Sequence, residues 1–238
     1  MKIKWFLLIN LMYQVSLLAQ EIEVKKTVYL IPGQGSDGRL FEQIHIENYD
    51  TVHIRYLLPE KEESLTQYAS RLAAQIDTTA PYSIVGVSLG GMIATELSDL
   101  LSPEEVIIIS SAKSKYELPT RYKIFKIVPI YKIIGGKTII CSAKLAQPLF
   151  EPTDKITQTH FHTMISDKEP YFMKRAVAWI ITWSRTTYDA DIIHIHGDHD
   201  HTLPLKHVDP NYIVKGGSHI MTMTKSEEIS KLLNFYLQ

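Results

Sequence analysis

The chain has 238 residues, 45% hydrophobic, 10% aromatic and 21% charged, the composition of one globular domain with a sizeable core rather than of a disordered or fibrous chain. Its 25 Lys and Arg against 26 Asp and Glu leave a formal charge of -1, so no global field draws in a polyanion and no nucleic-acid partner is expected. A single cysteine, Cys141, excludes an intramolecular disulfide and any zinc cluster that needs two cysteines.

Met1 to Lys4 form a short basic start, and the apolar run over residues 5–19, interrupted by Asn10 and Gln14, closes on the small Ala19 before Gln20. This pattern predicts a secretory signal peptide over residues 1–19. The run is shorter than the roughly 20 apolar residues of a spanning helix. The mature domain is then residues 20–238, exported to the periplasm or secreted, or membrane-anchored if the leader stays uncleaved.

Residues 27–31 predict a strand ending at Pro32-Gly33, and residues 51–56 a second one. Ser64 caps a helix in which Leu65, Tyr68, Ala69, Leu72, Ala73 and Ile76 share one face. Residues 83–87 form a short apolar strand that runs directly into a helix over 89–101. The run at 105–109 is apolar almost throughout, as in a strand buried on both faces of a parallel sheet. Strands at 192–195 and 212–214 follow, and a helix from Ser226 closes the chain with Glu227 and Glu228 in its first turn, where carboxylates suit the helix dipole. This alternation predicts an α/β fold with a mostly parallel, doubly wound sheet.

Residues 112–185 break the rhythm: they are helical in pattern, punctuated by prolines and Gly135-Gly136, and read as an inserted helical cap. Between Lys113 and Lys144 eight basic residues face one acidic residue, Glu117. The segment reads either as a lid whose basic face attracts an anionic substrate or a lipid surface, or as the solvated outside of a packed cap.

Chemistry concentrates at strand ends. Gly86-Val87-Ser88-Leu89-Gly90 spells G-x-S-x-G between an apolar strand and a helix, the context of a nucleophile elbow. Glycines flank the serine because larger side chains would collide across so sharp a turn. The helix that follows presents free N–H groups and a positive dipole end to a developing oxyanion.

On these residues the sequence from Thr27 onward resembles the α/β-hydrolase superfamily. Leu30-Ile31-Pro32-Gly33-Gln34-Gly35 is similar to that family's oxyanion loop, with Pro32 where a histidine is common, and the resemblance implies an oxyanion hole from the N–H groups of Gln34 and Leu89. His196-Gly197-Asp198-His199-Asp200 through Pro204 resembles the loop that carries the family's acid, which selects Asp200, with Asp198 as the near rival. Gly216-Gly217-Ser218-His219 lies where the family places its histidine. The implied order Ser88, Asp200, His219 is that of this fold. It implies an exported serine hydrolase that opens a small-molecule ester or related acyl bond through an acyl-enzyme, with no cofactor and no metal. Tyr116, Tyr122, Phe125, Phe161, Phe172 and Trp179 are candidates to line an acyl pocket or to pack the cap.

Two other readings stay open. His194-Ile195-His196-Gly197-Asp198-His199 spells H-x-H-x-D-H, which resembles the metal-binding motif of metallo-β-lactamases, although only His201, His207 and His219 remain as downstream histidines. On a strand His194 and His196 share one face and equally suit plain packing. The fold can also serve as a non-catalytic binding module.

Overall fold

A computed structural model describes residues 26–238 apart from Pro152 and Ala190; the predicted signal peptide lies outside the described residues. Six strands, β1 (Lys26–Ile31), β2 (Tyr49–His53), β3 (Tyr82–Val87), β4 (Val106–Ile109), β5 (Ile193–Gly197) and β6 (Tyr212–Val214), form one sheet in the order β2-β1-β3-β4-β5-β6. Every pairing is parallel. The chain reverses its direction of sheet growth between β1 and β3, which opens a crevice at their carboxyl ends, the usual site position in such sheets.

Alternation along each strand feeds two cores. Tyr29, Ile31, Ile84 and Ile108 face one side with α1 (Leu65–Leu72) and α2 (Leu89–Leu100), while Val28, Leu30, Val85, Ile107 and Ile109 face the other. There they meet Leu40, Met221, Ile229 and Leu233, the last three carried by α7 (Met221–Thr224) and α8 (Ser226–Tyr236), which are numbered after the four helices below. The doubly wound sheet expected from the sequence is the sheet observed.

Two boundaries move by three residues or more. The second strand lies at 49–53 rather than 51–56, because β1 leaves the ladder at Pro32: Ile54 N–H still donates to Leu30 O at 2.9 Å, but Arg55 turns to the Gln75 side chain and Tyr56 stacks on Phe172 at 4.7 Å between centroids. The first helix starts at the predicted cap, where Ser64 and Gln67 form a reciprocal capping box. It ends at Leu72 and tightens into a 3-10 turn over Ala73–Gln75.

Between β4 and β5 lie α3 (Thr120–Ile127), α4 (Gly136–Phe150), α5 (Lys155–Ser166) and α6 (Pro170–Thr182). Helix α6 belongs to the core. Its Trp179 ring lies 4.3 Å from Tyr68 of α1, and its indole N–H donates to Glu63 O at 2.8 Å. Trp179 is therefore a packing residue, Phe172 is buried against it and also reaches a surface cleft, Tyr116 is 63% exposed, and Tyr122, Phe125 and Phe161 are half-buried.

These contrasts give a stability test. Trp179→Ala is expected to cost about 3–5 kcal/mol, the range for deleting a large aromatic side chain from a core. Ile127→Ala, at an 81% exposed position, is expected to change stability by less than about 0.5 kcal/mol. Urea unfolding midpoints at constant m-value check both.

Candidate active site

The site starts from a strained turn. Ser88 joins β3 to α2 with φ 54 and ψ -119, a region that residues with a Cβ rarely occupy. Its N–H donates to Ile109 O at 2.9 Å, and its carbonyl accepts from Gly91 N–H at 2.9 Å and Ser111 Oγ at 2.7 Å. The turn closes only because its flanks lack side chains: a Cβ on Gly86 would stand 2.3 Å from Gly90 O, and one on Gly90 would stand 2.2 Å from Ile31 O. The helix start is thus pressed against the end of β1.

That contact sets the Pro32–Gly35 loop beside the serine. A Cβ on Gly33 would lie 3.4 Å from Ser88 Cβ, so Gln34 follows directly on the neighbour of Ser88. Ser36 closes the loop by donating from N–H and Oγ to Gly33 O at 3.2 and 3.1 Å, and the Tyr56 hydroxyl donates to Pro32 O. The Gln34 side chain donates to Met173 O of α6 at 3.4 Å. As the first residue of α2, Leu89 has an N–H without an intrahelical acceptor.

The other half comes from the loops after β5 and β6. They touch at two glycines: a Cβ on Gly197 would lie 2.0 Å from Gly217 O, which also accepts from His199 N–H at 2.9 Å. Asp200, only 2% exposed, accepts from Leu203 N–H at 2.6 Å through Oδ1, and its Oδ2 is 2.8 Å from His219 Nδ1. His219 Nε2 lies 2.8 Å from Ser88 Oγ. These partners assign the imidazole proton to Nδ1 and leave Nε2 free to accept from the serine hydroxyl. Burial pulls the His219 pKa down, but the Asp200 charge and hydrogen bond outweigh it, and the pKa stands above the ordinary histidine value. Burial pushes Asp200 up, yet the His219 charge and hydrogen bond, with help from His196, hold it below the usual carboxylate range.

Asp198 has a different occupation. It pairs with His199 Nδ1 at 2.7 Å and accepts from Gly216 N–H at 2.6 Å, bracing the surface of the two loops. The H-x-H-x-D-H string does not converge either. His194 and His196 are fully buried, and burial depresses both pKa values. His194 Nε2 meets His196 Nδ1 at 3.0 Å, and His196 Nε2 meets Leu203 O at 2.7 Å. His199 points into solvent. Among the described residues no group of three or more His, Cys, Asp or Glu side chains could hold a metal ion. The alternation of β5, which turns His194 and His196 inward, defeats the metallo-β-lactamase-like reading.

Sequence reasoning missed Glu151, just past α4. It is buried; Oε2 accepts from His219 N–H at 2.7 Å and Oε1 from Thr202 Oγ1 at 3.0 Å. Burial raises its pKa above the carboxylate norm. The Arg121 guanidinium of α3 donates to Thr202 O. No local motif announces Glu151, since its partner is 68 residues away.

The Gly197–Gly217 contact is testable. Gly197→Ala must push the loops of Asp200 and His219 apart, at an expected cost of about 1–3 kcal/mol. It should remove the low-field proton NMR signal of a His219 Nδ1–H held by Asp200, with far-UV circular dichroism unchanged; a retained signal would show that the loops do not depend on this contact.

No family model and no curated protein matches the sequence. Solved structures do match. MenH from S. aureus is 16% identical and superposes with a TM-score of 0.69 over 91% of this chain and 95% of its own. A thermophilic esterase from Thermogutta terrifontis is 12% identical, with a TM-score of 0.66 over 89% of each chain. A bromoperoxidase from Bacillus anthracis is 19% identical, with a TM-score of 0.64 over 89% of this chain and 91% of its own. With the sheet order, the strand-to-helix serine turn and the helices inserted after β4, these likenesses show that the chain has the α/β-hydrolase fold.

Proposed function

We propose that the protein is a serine hydrolase that cleaves a small-molecule ester or related acyl bond. The observation that carries this reading is the unbroken relay from Ser88 Oγ to His219 to Asp200, with 2.8 Å at each junction. A serine hydroxyl is a weak nucleophile at its own pKa and needs such a base. The fold is shared with structures described as esterases.

In this mechanism His219 Nε2 takes the Ser88 proton as Oγ attacks the acyl carbon. The carbonyl oxygen becomes an oxyanion facing the N–H groups of Gln34 and Leu89, each worth on the order of 3 kcal/mol in the transition state. When the tetrahedral intermediate collapses, His219 returns the proton to the departing alcohol and leaves Ser88 acylated. Water, deprotonated by His219, then attacks the acyl group, and the released proton restores the serine. Asp200 stays ionised throughout, holding the Nδ1–H tautomer and stabilising the imidazolium. Glu151 acts as a positioning residue: it fixes the His219 backbone and adds negative charge that favours the imidazolium.

A cleft of about 840 Å³ opens at Pro32 and Ser36 of the oxyanion loop, lined by Tyr56, Leu58 and Phe172 on one hand and by the charged Asp37, Arg39 and Lys168 on the other. We assign the substrate's larger group to it. Export after cleavage following Ala19 belongs to the same proposal and is read by N-terminal sequencing of the mature protein.

Ser88→Ala is expected to abolish both chromogenic short-chain ester hydrolysis and fluorophosphonate labelling. Exhaustive chelation is expected to leave turnover unchanged; loss with recovery on added metal would overturn the serine mechanism. Asp200→Asn stabilises the wrong tautomer, a change that cost ~10⁴-fold in kcat in the chymotrypsin-type triad. Asp198→Asn is expected to cost far less.

The pH profile has a definite sign. His219 must be neutral to act as a base, so kcat/KM falls as pH drops through its pKa, which lies above the usual value of about 6.5. Because Glu151 raises that pKa, Glu151→Gln should shift the acid limb to lower pH. An unshifted limb with only lower stability would leave Glu151 a purely structural part.

A further inference from the structure

The passage from α3 into α4 exposes aliphatic side chains that folded chains usually bury. Ile124 is 54% exposed, Ile127 81%, Val128 54%, Ile130 41% and Ile133 84%. Exposed Lys123, Lys126 and Lys132 are interleaved with them. The segment is held from beneath by other residues: Tyr131 is buried, Tyr122 and Phe125 are half-buried, and Lys174 of α6 donates to Lys132 O at 2.8 Å. Ile127 and Ile133, more than four-fifths exposed, therefore contribute little to fixing the cap. Five such side chains exposed within ten residues are more than the scattered apolar exposure of an ordinary surface, and such a concentration marks an interaction site.

The charge around it selects the partner. Glu117, the one acidic residue between Lys113 and Lys144, is buried and accepts from Lys113 N–H, so it offers nothing to the surface. Lys123, Lys126, Lys132 and Lys137 form no ion pair among the described residues. A second copy packed symmetrically here would set lysine against lysine. A small anion would have no use for five exposed aliphatic side chains. Aliphatic side chains that can enter hydrocarbon, ringed by unpaired lysines that can meet headgroup phosphates, fit the boundary of an anionic bilayer.

We propose that residues 123–133 dock the protein on an anionic lipid surface. The isoleucines enter the headgroup–acyl boundary, and the lysines rest over the phosphates. This lies outside the relay of Ser88, His219 and Asp200 and does not depend on the hydrolase reading. It does bear on the site's surroundings, since Arg121 of the same helix holds Thr202 O, and Thr202 hydrogen-bonds to Glu151.

Co-sedimentation of the full chain with two vesicle types tests the proposal without any activity measurement. One is pure phosphatidylcholine; in the other about a third of the lipid is phosphatidylglycerol. Partition onto the anionic vesicles is expected to be at least ~10-fold stronger and to weaken as salt is raised. Ile127→Glu/Ile133→Glu, at positions more than four-fifths exposed, should fall to background, and the milder Ile127→Ser/Ile133→Ser should bind in between. Lys123→Gln/Lys126→Gln/Lys132→Gln should lose the preference for anionic vesicles. The apolar N-terminal residues are common to all these proteins, so the readout is the difference between wild type and variant, and equal partition of the wild type and Ile127→Glu/Ile133→Glu overturns the proposal. It is equally overturned if the wild type stays in the supernatant with both vesicle types, or if sedimentation velocity shows lipid-free self-association that the same double substitution abolishes.

Discussion

Ser88 sits in a backbone conformation that costs of order 1–3 kcal/mol for a residue with a side chain, and the surrounding structure leaves it no relaxed alternative. The serine N–H is tied to β4 through Ile109 O, its carbonyl is held by Ser111, and the helix it starts is pressed by Gly90 against the last carbonyls of β1. Strand β3 lies between β1 and β4, so any relaxation of the turn would disturb the centre of the sheet. The same tightness shapes the candidate site: the contact that prevents relaxation is the one that brings the Gly33–Gln34 loop alongside the serine.

The second half of the site is assembled by electrostatics rather than by strain. One imidazole stands between two buried carboxylates, Asp200 at its Nδ1 and Glu151 at its backbone N–H. Burial alone would make His219 a weaker base, and the two negative charges reverse that. Burial of Asp200 is tolerable because Leu203 N–H and the two imidazoles of His219 and His196 surround its oxygens. His194 extends this buried polar row beneath the site, and its Nδ1 meets no hydrogen-bond partner among the described residues.

The frame was legible in the sequence because parallel strands buried on both faces are short apolar runs, and helices between them show a single apolar face. Ser88, Asp200 and His219 were legible because each follows a strand end in a small-residue loop, where local spacing carries information. Glu151 was not: it reaches His219 from a cap whose residues share no pattern with the loop they meet. The edge of β2 was misplaced because its end depends on where β1 leaves the ladder, a property of the partner strand. The histidine string misled because a linear motif does not say which side chains a strand turns inward; the alternation of β5 decided that His194 and His196 would face each other and not a common ion.

Strand β5 adds to a sheet whose previous member, β4, lies the whole length of four helices upstream, and Ile107 must find Ile193. Closing that loop is the largest entropic step between consecutive strands of the sheet. The strands β1 to β4, which hold Ser88 and the Gln34 loop, come from nearer segments of chain, whereas Asp200 and His219 arrive only with β5 and β6. During folding Ser88 can therefore be in place while His219 is still absent. On the proposed mechanism, reactivity is then the last property the chain acquires, and its appearance would time the completion of the sheet.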